Sequence, residues 1–70
     1  MPEAYEHLWH PLLRCPVRDI ASGTEGQLMA VVYEEVGQVR GDPQYKPIAY
    51  IRMPSGRELP TAASNIEPLA

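Results

Sequence analysis

The chain is short of several things that chemistry-bearing domains use. Among its 70 residues are one cysteine, Cys15, no phenylalanine, and two histidines, His7 and His10, both near the start. A single cysteine excludes an internal disulfide, and without a second thiol no Cys-rich zinc site can form. With both histidines in the leader, no structured base is expected beside a serine or an aspartate, so a Ser-His-Asp arrangement is not expected. Gly23-Thr24-Glu25-Gly26 carries a carboxylate where a phosphate-binding loop needs a donor. No stretch approaches the roughly 18 apolar residues of a membrane span. No basic leader precedes an apolar run, so no signal peptide is expected. A free thiol and no targeting segment fit a reducing cytoplasm, the expected location.

What is present describes one small globular domain. A hydrophobic fraction of 44% is ordinary for a folded chain. A domain of this size buries only about 60% of its unfolded surface, so its core is marginal and self-association is one way to supplement it. Proline is abundant, with eight residues spread along the chain. Long helices are therefore excluded over most of it, because each proline removes a donor and clashes with the preceding turn. Net charge is −3, unevenly placed. Arg40, Lys46, Arg52 and Arg57 against Asp42 give residues 40–57 a local +3, and the remainder carries −6. Such a polarised domain more often meets a protein than bare phosphate.

Residues 1–11 read as a separate leader. Pro2 suits a first helical position and Pro11 a stop, so the expectation is a helical turn or disorder, docked through Tyr5, Leu8 and Trp9 if ordered. Residues 12–70 read as the domain proper. Leu13 to Ile20 alternates, with Leu13, Cys15 and Val17 on the core side, and gives a first strand. Gly23 and Gly26 mark a turn. Gln27 to Val36 is a nearly continuous apolar run that reads as a long bent strand serving two sheets. Gly37 to Tyr45, with Gly41-Asp42-Pro43, reads as the longest and most mobile loop. Pro47 to Met53 is the third strand. Pro54-Ser55-Gly56 is a tight hairpin turn. Leu59 anchors the fourth strand, Ala62 to Asn65 fits one 3₁₀ turn, and Ile66 to Leu69 supplies the fifth.

That order resembles the SH3-like small-barrel superfamily. Val17-Arg18-Asp19 followed by Ser22 to Leu28 is similar to the strand-turn-strand opening of KOW-type bacterial barrels. Pro60 to Asn65 leading into Ile66 is similar to the segment before the last strand of eukaryotic SH3 domains. The ending also resembles short actinobacterial proteins in which an arginine-bearing hairpin precedes a closing strand. The resemblance covers residues 12–69 and implies an all-β, five-stranded SH3-like barrel. It does not carry polyproline binding across, because the only tryptophan, Trp9, lies in the leader. Nor does it carry the activity of plasmid type II dihydrofolate reductases, whose Val-Gln-Ile-Tyr strand is replaced by Glu58-Leu59-Pro60-Thr61.

Three functions follow as expectations, in order. The first is a non-enzymatic protein–protein interaction or assembly module, self-association included, with Trp9, Tyr45, Tyr50, Arg52 and Arg57 as partner-binding residues. The second is a nucleic-acid-binding barrel that uses Tyr50, Arg52 and Arg57, since basic residues interleaved with aromatics suit single strands. The third is an oligomeric enzyme with a site between subunits. No cofactor, catalytic residue or metal site is assigned. His7 and His10 with Glu3 and Glu6 could share a helical face, but a frayed leader would hold a metal loosely. Cys15, in phase with Leu13 and Val17, reads as a core residue rather than a nucleophile.

Overall fold

The computed structural model describes residues 5–69. It is all-β: β1 Tyr5–Leu8, β2 Pro16–Asp19, β3 Glu25–Val39, β4 Asp42–Arg52, β5 Glu58–Ala62 and β6 Ile66–Pro68, with a 3₁₀ turn at Ala63–Asn65. All the pairings are antiparallel, in the order β5-β4-β3-β2-β6, and β1 joins β3 beside this path. The sheet is open, since β5 and β6 stand at its two ends without pairing. The expected five-stranded closed barrel is thus replaced, over the described residues, by six strands in one open sheet. Among the described residues no helix is long and apolar enough to cross a membrane.

The leader is the first correction. Glu6, His7 and Leu8 pair with Tyr33, Val32 and Val31. A strand that finds a ready edge gains backbone partners that an isolated turn of helix lacks. Leu8 packs on the core, whereas Trp9 stays 80% exposed and does not dock. Pro2 and Glu3, which the helical reading also used, lie outside the described residues. The second correction concerns Leu13 to Cys15. These residues form a turn in which Leu13 N–H donates to His10 O and Cys15 N–H to Leu12 O. Only Pro16 onward is strand, and its first residue needs no donor.

β3 explains its own irregular sequence. It gives one edge first to β2 (Gln27 opposite Pro16) and then to β1 (Val31 opposite Leu8), so it serves a single sheet rather than two. A β-bulge at Met29 separates Leu28, opposite Ile51, from Ala30, opposite Tyr50. Alternation alone would send Leu28 and Val31 to opposite faces, and the extra residue returns both to the core. That core is Val17, Leu28, Val31, Ala49 and Ile51, flanked by Leu8, Leu12, Leu13, Ala63 and Ile66. Full burial of Leu28, Ile51 or Val17 is worth about 1.5–3 kcal/mol each. With so few such side chains, the polar ties that hold the open sheet together carry weight.

One such tie is Asp19, 4% exposed at the end of β2. Its Oδ2 accepts from the N–H and hydroxyl of Ser22, and its Oδ1 accepts from Thr61 Oγ1 and Asn65 Nδ2, both at 2.7 Å. Thr61 is on β5 and Asn65 in the 3₁₀ turn, so one carboxylate links β2 to the far end of the strand order. These hydrogen bonds, from Ser22 first and Thr61 next, hold the carboxyl below its usual range against the opposing effect of burial. Beside it, Arg18 lies between Glu67 on β6 and Glu25 on β3, with Nη2 2.6 Å from Glu67 Oε1.

Candidate functional site

The third correction produces the candidate site. Residues 37–45 are a continuation of the β3–β4 hairpin, not a loop. Val39 pairs with Asp42, and Arg40 (φ 53°) and Gly41 (φ 83°) form the two-residue turn between them. Two successive left-handed residues make the turn whose twist matches a β-hairpin. A second bulge at Val36 lies between the Glu35–Tyr45 and Gly37–Gln44 pairs. Every residue from 35 to 47 is exposed. The molecule measures 39 × 24 × 21 Å, an elongation that a hairpin continuing past its core accounts for.

This arm carries apolar side chains on both faces. On the face continuous with the core, Tyr33 and Tyr45 stack with ring centroids 5.6 Å apart, beside Pro47. The other side holds an open depression of about 320 Å³ lined by Val36, Gly37, Gln38, Val39, Gln44 and Lys46. Tyr33, Val36, Val39 and Tyr45 are four of the large hydrophobic residues left exposed, together with Trp9 and Ile20. Single exposed apolar residues are ordinary, but four on one hairpin form a patch that a partner would cover.

The outer edge of β4 in the arm is less inviting. Beyond β5, which pairs only with Ile48 to Arg52, the outer edge of β4 is open from Asp42 to Pro47. Pro43 and Pro47 are four residues apart, so their missing donors fall on the same side of the strand. Both keep their register opposite Gln38 and Tyr33, which places that side outward. On the β4 side, contact through this arm therefore runs through its faces rather than the edge.

The five residues assigned from sequence do not form one site. Tyr45 is on the arm, stacked on Tyr33. Tyr50 and Arg52 lie on the opposite face of β4, next to β5. Arg57 is exposed in the turn after β4, and Trp9 follows β1. Tyr50 is half-buried and its hydroxyl donates to Glu34 Oε1 at 2.7 Å. That hydrogen bond, with burial and the carboxylate charge behind it, raises the phenol above its ordinary pKa. Arg52 Nη2 is 3.4 Å from Glu58 Oε2. The basic strand face is thus interleaved with carboxylates, which lowers its attraction for phosphate. Cys15 is half-buried rather than fully in the core. Among the described residues no three His, Cys, Asp or Glu side chains come together as a metal site. Tyr33, Val36 and Val39 went unassigned in the sequence because the strand reading buried the first two and the loop reading absorbed the third.

No protein-family profile, curated protein or solved structure matches this chain.

Proposed function

We propose that the protein is a non-enzymatic protein–protein interaction or assembly module whose contact element is the arm from Tyr33 to Pro47. The observation that carries this reading is a hairpin continued beyond the core with exposed apolar side chains on both faces. A marginal domain gains nothing for its own stability by holding Tyr33, Val36, Val39 and Tyr45 in water, whereas a partner buries them at about 25 cal/mol per Å². Within this reading the body follows the strand order of an SH3-like barrel, its sheet remaining open over the described residues. That is supported by the order β6-β2-β3-β4-β5, in which the last strand returns beside β2, and by the 3₁₀ turn before it.

The test compares the wild-type chain with a variant carrying Tyr33→Ser, Val36→Ser, Val39→Ser and Tyr45→Ser. Sedimentation velocity reads self-association, and affinity capture with quantitative mass spectrometry reads other partners. The arm variant keeps a cooperative melt and loses the wild-type's association, homotypic or heterotypic. The same assemblies formed by a folded arm variant would refute the proposal.

A further inference from the structure

The stacked face of the arm has a charge pattern that narrows the partner. Glu6 on β1 is opposite Tyr33, and Glu35 on β3 is opposite Tyr45. By strand alternation both carboxylates share the face of the two rings. Both are exposed, and neither makes an ion pair or hydrogen bond among the described residues. By the same alternation Pro47 lies on this face, and no lysine or arginine of the paired strands does. Lys46 is directed with Glu34 and Tyr50 to the other side. Two π-faces flanked by two unneutralised carboxylates attract a cation twice over, through the ring quadrupole and through charge.

From this we infer that the Tyr33–Tyr45 face is a docking site for an arginine-bearing segment of a partner protein. The guanidinium lies over the ring pair, with Glu6 and Glu35 accepting its N–H groups. Arginine suits the site better than lysine, because its planar group stacks on a ring and donates sideways at once. Two copies of this chain meeting face to face would gather four carboxylates and no cation from the strands, so the occupant is a different, basic surface rather than the same face of a second copy. This inference rests on the arm being the contact element.

The test is an NMR titration of the ¹⁵N-labelled full chain with short Gly/Ser peptides carrying two arginines, two lysines or two glutamines. The arginine peptide is expected to shift the amides of Glu6, Tyr33, Glu35 and Tyr45 in a saturable, salt-sensitive way, at least fivefold more tightly than the glutamine peptide. The Glu6→Gln/Glu35→Gln variant, which alters no buried group, should lose that preference with an unchanged melt. Equal shifts from arginine and glutamine peptides would overturn the inference, as would arginine shifts centred on Glu25 and Glu67. So would self-association of the free chain that the double variant abolishes, since that places a second copy's cation in the site. If the serine arm variant loses its partners but Glu6→Gln/Glu35→Gln keeps them, the inference fails while the interaction module stands.

Discussion

Replacing Gly26 with alanine would put a methyl group 2.3 Å from the carbonyl oxygen of Arg52, and 2.8 Å from both its carbonyl carbon and Ile51 Cγ2. Normal contact requires about 1 Å more from the backbone, since a carbon–oxygen pair settles near 3.5 Å. Arg52 cannot readily move aside, because it is paired with Gln27 on one edge and Glu58 on the other. Ile51 cannot either, being fully buried. The cost falls at or beyond the upper end of the 1–3 kcal/mol typical of overpacking, and about 3 kcal/mol is a fair value. A chain of this length has roughly 3.5–10 kcal/mol in total. At about 4–8 °C per kcal/mol for a small domain, Tm drops by about 12–24 °C. Far-UV circular dichroism melts and urea titrations read this directly. Gly23→Ala is the internal control, because its Cβ would meet nothing within 4 Å and only its φ of +76° is strained, at about 1–2 kcal/mol. If Gly26→Ala costs no more than Gly23→Ala, the close approach of β3 and β4 at this point is wrong.

Three further outcomes follow from the same geometry. Arg40 holds a left-handed φ beside Gly41, so Arg40→Asn should stabilise by about 0.5–1 kcal/mol, read as a Tm rise of a few degrees; a fall would contradict the two-residue turn. Asp19 has a depressed carboxyl pKa in the folded state, so its contribution is fully present above the unfolded value near 4 and is lost as pH falls through the folded value. The Tm gap between wild type and Asp19→Asn should therefore be widest at neutral pH and narrow towards pH of about 3; a gap independent of pH would remove the carboxylate from the clasp. Tyr50 should ionise above the ordinary phenol range in an ultraviolet titration, and Tyr50→Phe should delete that step. Because its folded pKa is raised, the stabilisation it brings is intact below about pH 10 and fades as pH rises past it.

Local patterns gave a good account of the chain from Pro54 to its last strand. Pro54 to Gly56 made the turn, Leu59 sat in the fourth strand of the expected order, and Ala63 to Asn65 took the 3₁₀ turn before the last strand. Where the local reading failed, a distant partner decided. The leader's proline spacing suited a helix, but Glu6 to Leu8 found an edge on β3 more than twenty residues away. Gly37, Gly41 and Pro43 look like loop punctuation, yet the first follows a bulge, the second completes the turn, and the third sits on an open edge. The role of Asp19 depends on Thr61 and Asn65, separated from it by 42 and 46 residues. Its spacing to Ser22 was the one local hint, since an aspartate accepting from the chain a few residues on is a known turn device. The arm faces went unseen because exposure is a property of what is missing overhead, and alternation within a strand does not reveal it.

Pro43 and Pro47 bear on how this molecule behaves in a crowded solution. A hairpin with apolar side chains on both faces is close to the specification for a growing fibre, in which each incoming strand templates the next. Fibre growth needs an uninterrupted row of backbone donors, and the two prolines strip most of them from the open side of β4. Sticky faces and a blunted edge together let molecules meet without polymerising. Restoring donors with Pro43→Thr and Pro47→Thr should leave the hairpin intact and shift the protein towards thioflavin-binding aggregates, so the prolines act less on folding than on what happens between folded molecules.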